Sequence, residues 1–161
     1  MIRTLKQSDA AVVIDIYQQG LDGGEASFET TAPQWQVWDR KYHPFGRLIR
    51  EQDGQVQGWA ALAPVSAREC YRGVAEVSAY VASNHLGKGV GHDLMAALVE
   101  ISEDNAIWSL YSSIFPENIA TLRLHLRHGF REVGVRERIA QQDGRWRNTM
   151  ILERRSKRVG G

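Results

Sequence analysis

Between Glu76 and His92 the chain reads EVSAYVASNHLGKGVGH, and the residue types in it that could do chemistry are closely spaced. Gly87, Gly89 and Gly91 lack a Cβ, so the backbone there can bend sharply and bring N–H groups against a bulky anion. Just beyond them Val90, Leu94, Leu98 and Ile101 recur at helical spacing, with Met95 beside the stripe. The first turn of a helix has unpaired donors and is the positive end of its dipole, so Leu86, Gly87, Lys88, Gly89, Val90, Gly91 and His92 make a candidate anion-binding turn. The alternative is an ordinary glycine-rich loop capping a helix. A P-loop does not fit, because Gly89 stands where Ser or Thr is needed and position 82 is not glycine. A dinucleotide fingerprint fails at His92, where its third glycine belongs.

Glu76 lies on the strand leading into this turn and shares a face with Ser78 and Tyr80. A carboxylate there can take a proton from a bound substrate directly or through water, or it can be a solvated group on an exposed sheet face. Seven residues, about two helical turns, separate Asn118 from His125, so both can face one groove. Asn118 can cap its helix, donate to a cofactor, or do both. His125 can be an acid, a base, an orienting group or a structural histidine. No third ligand accompanies these side chains at a supporting spacing, so no metal is expected. Cys70 is the only cysteine; it excludes an internal disulfide, and with no activating partner it reads as a passive thiol.

The elements that must position these groups follow from pattern. Residues 2–6 suit an opening strand, and Ser8 or Asp9 caps a helix carrying Val12, Val13, Ile16 and Tyr17 that stops at Gly20, Gly23 and Gly24. A second helix takes Thr31 as N-cap and Pro33 in its first turn, with Trp35 and Trp38 on one core face. Strands over 45–52 and 55–63 flank Asp53-Gly54, a strong hairpin signal. After the glycine turn and its helix, 106–115 reads as a buried strand, Pro116-Glu117-Asn118 opens a helix closing at Gly129, and 130–140 with 145–153 form a hairpin across Asp143-Gly144. The order βα, α, ββ, β, α, β, α, ββ predicts an α/β arrangement around a mixed, mostly antiparallel sheet.

Chain length bounds this to one domain, expected over 1–153, followed by a basic flexible tail over 154–161 whose RRSKRVGG carries four positive charges and no apolar face. Twenty basic and 19 acidic side chains leave a net charge of +1, which argues for neither a nucleic-acid nor a membrane partner. No apolar run approaches the roughly 20 residues of a membrane span, and the first residues lack a signal-peptide core, so a cytoplasmic protein is expected.

Residues 86–91 resemble the pyrophosphate loop of the GCN5-related N-acetyltransferases (GNAT), with Leu86 where that family usually has Gln or Arg. SFET near residue 27, YRGVAEVSAYV at 71–81, PEN followed by LHxxxGF within 116–130, and DGRW with an ensuing MILER are similar to the phosphinothricin acetyltransferase branch, which also includes methionine sulfoximine and arsinothricin acetyltransferases. The resemblance spans nearly the whole chain. It implies the GNAT fold, with a twisted sheet flanked by helices, and acetyl-CoA as co-substrate. In that reading residues 86–92 receive the pyrophosphate, Tyr80 and Val81 pair with the pantetheine arm, and Asn118 donates to cofactor groups. It further implies Glu76 as general base, His125 as helper, Arg72 with Gly73 at the substrate carboxylate, and Phe28, Glu29 and Thr30 on a substrate-side loop. Arg68 is a second candidate for the carboxylate, and Asn148 stands where many relatives carry Asp. Direct transfer to the α-amine of a small amino acid analogue is the implied reaction, in a homodimer. A transferase for another small amine, or a non-catalytic acetyl-CoA sensor, are the alternatives.

Overall fold

Two Asp-Gly pairs set the hairpins of the computed structural model, which describes Met1–Gly161. Asp53 and Gly54 (φ 51° and 75°) and Asp143 and Gly144 (φ 52° and 76°) all adopt the left-handed conformation that a two-residue hairpin turn demands. They join β2 (Leu48–Gln52) to β3 (Gln55–Pro64) and β6 (Arg131–Gln142) to β7 (Arg145–Arg155). With β1 (Ile2–Thr4), β4 (Val74–Val81) and β5 (Ser109–Ile114) these form one seven-stranded sheet in the order β1-β2-β3-β4-β5-β7-β6. Only the β4–β5 pair is parallel, as the expected mixed and mostly antiparallel sheet requires.

Helices cover both faces. Helix α3 (Val90–Asp104) buries Val90, Leu94, Met95 and Leu98 against Leu62, Val77 and Leu110, and α4 (Ile119–Arg127) adds Leu122 and Leu124. On the other face α1 (Ala10–Asp22) and α2 (Trp35–Lys41) bury Val13, Ile16, Tyr17 and Trp38 against Ile49 and Trp59. A strand covered on both sides needs no polar alternation, and β3 is accordingly buried almost throughout. No helix is long and apolar enough to cross a membrane.

Several boundaries differ from the sequence reading. Gly20 lies inside α1; it admits the Tyr80 ring, which a Cβ there would meet at 2.5 Å. Helix α2 starts at Trp35 after an extended Gln34, so neither Thr31 nor Pro33 begins it. Gly46 and Ala106 have positive φ (70° and 59°), which an extended strand excludes, and β2 and β5 begin after them. Residues 154–161 are not a free tail. Arg154 and Arg155 finish β7, Ser156 is buried with its hydroxyl 2.9 Å from Glu103 Oε1, and Arg158 donates to Glu103 Oε2 (3.0 Å). Burial pushes the Glu103 carboxyl up, but donation from Arg154, Ser156 and Arg158 outweighs it and holds the group below the ordinary carboxylate range.

Candidate active site

The parallel pair β4–β5 comes apart at Glu76. Val74, Ala75 and Glu76 pair with Ser109, Leu110 and Tyr111, and there the ladder ends although β4 continues to Val81 and β5 to Ile114. In the resulting split, alternate residues of β4 beyond Glu76 present N–H and C=O groups to a gap rather than to a strand.

The Glu76 carboxyl stands at the apex of this split. Burial pushes its pKa up, Lys41 opposes that shift and Glu29 adds to it. Neighbouring side chains on the same face pack toward α1 and α2: the Tyr42 hydroxyl donates to Ser78 Oγ (3.0 Å), and Tyr80 stacks on Tyr17 (4.6 Å between centroids) and Trp59 (5.2 Å). The Tyr17 hydroxyl donates to Glu29 Oε2 (2.9 Å). Burial raises the pKa of Tyr17, Tyr42 and Tyr80, so all three remain protonated donors at neutral pH. Tyr80 thus places its ring in an aromatic stack, while the backbone of Tyr80 and Val81 runs along the split.

At the far end of β4 lies the glycine turn. Gly87 and Gly89 have φ of 73° and 83°, and a Cβ at either would meet no atom within 4 Å, so the space above them is open. Gly89 caps α3. Intrahelical bonding starts with the Asp93 N–H, which donates to the Gly89 carbonyl (3.0 Å), leaving the N–H groups of Val90, Gly91 and His92 without a helical acceptor. Leu86 is 63% exposed and offers no hydrogen bond, and Lys88 Nζ folds back to the Asn84 carbonyl (3.1 Å). The His92 ring is also engaged, its Nδ1 lying 3.0 Å from His128 Nε2 across the gap between α3 and α4. An anion at this turn therefore meets backbone donors and the helix dipole rather than side-chain charge.

The remaining predicted residues are placed as follows. Asn118 caps α4, its Oδ1 accepting from the Thr121 N–H (3.2 Å) while Nδ2 donates to the Glu25 carbonyl (3.2 Å). His125 is buried edge-on to Phe130 of the α3-side core; its Nδ1–H donates to the Thr121 carbonyl (2.7 Å), Nε2 has no partner, and burial lowers its pKa. It is a neutral imidazole with no contact to Glu76, which faces α1 and α2. Arg72 is 64% exposed, loosely paired with Glu69 (3.7 Å) and laid against the Trp108 ring (5.3 Å). Gly73 makes room for that ring: a Cβ there would lie 2.1 Å from Trp108 Cε3. Arg68 rests over Tyr71. Phe28 meets Phe115 edge-to-face (4.9 Å), and the Thr30 carbonyl accepts from Gln18 Nε2 (3.0 Å). Asn148 makes a hairpin contact, its Oδ1 accepting from the N–H of Arg138, which has a positive φ.

Sequence reasoning missed Lys41, Tyr42 and Arg147. Tyr42 continues the Trp35/Trp38 spacing by one further turn, a signal the sequence did carry, whereas Lys41 has no such pattern and Arg147 is an ordinary cation within a hairpin strand until its distant partners are known.

The acetyltransferase (GNAT) family model matches residues 13–130. A phosphinothricin N-acetyltransferase of Alcaligenes faecalis is 30% identical, the match covering 95% of this chain and 81% of that protein. An L-methionine sulfoximine/L-methionine sulfone acetyltransferase of Pseudomonas paraeruginosa is 32% identical, with 94% and 92% covered. Among solved structures, that of a ribosomal-protein-alanine N-acetyltransferase from Brucella melitensis has a TM-score of 0.89 at 29% identity, covering 97% of this chain and 99% of that one.

Proposed function

This chain belongs to the acetyltransferase (GNAT) family, and from that premise we propose that it transfers the acetyl group of acetyl-CoA to the α-amine of a small amino acid analogue such as phosphinothricin or methionine sulfoximine, with arsinothricin in the same class. The observation that carries the reading is the split of β4 from β5 at Glu76, which runs from a half-buried carboxylate toward a turn of free backbone donors. A thioester with a pyrophosphate at one end and a pantetheine arm suits that path: donors at 90–92 for the phosphates, and the unpaired edge of β4 at Tyr80 and Val81 for the arm's amides.

An α-amine has a pKa of about 8 or above, so at neutral pH most of it is protonated and unreactive. Glu76 takes the ammonium proton, directly or through water, and passes it to solvent. The free amine nitrogen then bonds to the acetyl carbon, and as the carbon–sulfur bond breaks the nitrogen gives up its second proton through water to the departing thiolate. Backbone N–H groups of β4 that face the split stabilise the carbonyl oxygen as charge builds on it. Arg72 holds the substrate carboxylate, because its guanidinium is exposed and only weakly paired and offers two parallel donors. Residues 28–30 border the amine, with Glu29 fixed by Tyr17. Asn118 contributes from the helix end, and His125, whose ring proton is held by the Thr121 carbonyl, enters only as a neutral acceptor through Nε2.

The test is thiol release from acetyl-CoA by purified protein, with a panel of glutamate-like analogues, ordinary amino acids and a peptide with an amino-terminal alanine. Turnover confined to the analogues supports the reading. Turnover only on the peptide, or acetyl-CoA binding without turnover on any amine, overturns it. We extend the proposal to a cytoplasmic homodimer, which the apolar side chains exposed on the outer hairpin (Val133, Val135, Ile139 and Trp146) support, and sedimentation tests the dimer.

A further inference from the structure

The segment between α1 and α2 that carries Phe28, Glu29 and Thr30 has no helix or strand of its own, yet it is fastened at several points to distant parts of the chain. Arg147 on β7, whose side chain is only 11% exposed, is the centre of that fastening. Its Nη1 donates to the Gly24 carbonyl (2.9 Å) and to Gln142 Oε1 (2.6 Å), and its Nη2 to Glu25 Oε2 (2.9 Å) and Glu117 Oε2 (3.4 Å). The guanidinium also lies 3.6 Å from the centroid of Phe115, the ring that Phe28 meets. Two further bonds reinforce it: Gln142 Nε2 donates to the Ser27 carbonyl (2.9 Å) and Asn118 Nδ2 to the Glu25 carbonyl (3.2 Å).

A cation matched by two carboxylates and two further acceptors has both Nη groups engaged and no net positive charge left to hold a substrate carboxylate, in contrast to Arg72. What Arg147 does have is reach. It ties the segment bearing Phe28 to the 115–118 turn, which opens α4 at the end of the β5 arm of the split. We infer that Arg147 is a positioning residue for the amine site, setting where Phe28 and Glu29 stand relative to the split. The inference rests on the proposed acetyl transfer to a small amine.

The test compares Arg147→Gln, Arg147→Lys and Gln142→Ala with the unsubstituted protein, by hydrogen exchange over residues 24–30 and by steady-state kinetics. In Arg147→Gln the segment exchanges faster and the amine KM rises roughly tenfold to hundredfold, the scale of a displaced positioning group. The acetyl-CoA KM stays within about twofold, because the donors at 87–92 are untouched. Arg147→Lys, which keeps a charge between Glu25 and Glu117, recovers part of the loss, and Gln142→Ala moves both readouts the same way by less. Unchanged exchange at 24–30, or equal rises in both KM values, overturns the inference. If Arg147→Gln does not fold, Gln142→Ala decides by the same criteria. Should the unsubstituted protein turn over no amine, the acetyl-transfer reading fails, and the exchange measurement still decides whether Arg147 holds the segment.

Discussion

Replacing Glu76 with Gln keeps the size and shape of the side chain and removes its ability to take a proton. A positioned base is worth about 10²- to 10⁴-fold, so kcat/KM for the amine should fall by that factor, equivalent to about 2.7–5.4 kcal/mol of lost transition-state stabilisation. The pH profile is more discriminating. Burial is the largest influence on Glu76 and pushes its pKa above the ordinary value of 4.5, with Glu29 adding and Lys41 opposing. The acid limb of the unsubstituted enzyme should therefore lie above the usual carboxylate range and disappear in Glu76→Gln, while the limb set by the amine, at about pH 8 or above, persists in both. Stability should move the other way. Because the folded pKa is raised, the fold favours the protonated carboxyl; that advantage is full below the unfolded value and is lost as pH rises through the folded one. Glu76→Gln should thus match the unsubstituted protein in acid and melt higher at neutral pH, by about 2–4 °C for each kcal/mol of relieved desolvation in a domain of this size. Thiol release across pH 4–9, calorimetric acetyl-CoA binding and thermal melts at the two extremes measure all three. A variant with its rate and acid limb intact would falsify the assignment of Glu76 as base, and loss of acetyl-CoA binding together with rate would make its role structural.

Gly73→Ala drives a methyl into the half-buried Trp108 ring, so urea unfolding should show a loss within the about 1–3 kcal/mol typical of overpacking. Deleting residues 156–161 leaves Glu103 with Arg154 alone, and the melt should drop by a margin that narrows as pH falls through the depressed pKa of Glu103; a free tail would leave the melt unchanged at every pH. Cys70→Ser should retain full thiol-release activity, since the exposed thiol has no part in direct transfer, whereas an acyl-enzyme route would lose its nucleophile.

Much of the fold was legible because it is encoded over a few residues. Asp53-Gly54 and Asp143-Gly144 specify hairpin turns by their own backbone preferences, and Val90, Leu94 and Leu98 write the buried stripe of α3 at a period no strand shares. The glycine turn and the strand carrying Glu76 were likewise readable, down to the face that Glu76 shares with Ser78 and Tyr80. Boundaries failed where one residue's conformation answers to a distant neighbour: α1 continues through Gly20 because Tyr80 packs there.

The sequence by itself determined which chemistry was available: a turn of backbone donors at a helix start, a carboxylate on the strand before it, and no second cysteine to suggest another route. Only the tertiary structure decided how those groups are used. The parting of β4 from β5 at Glu76 is a matter of register between strands separated by α3, and no local preference encodes it. The same holds for Arg147, which meets Gly24 across 123 positions, and for Ser156 and Arg158, which turn an apparently free tail into the partner of a buried Glu103. A charged side chain carries no sign of its partner in its own sequence neighbourhood, because the partner is fixed by the summed geometry of every element between them.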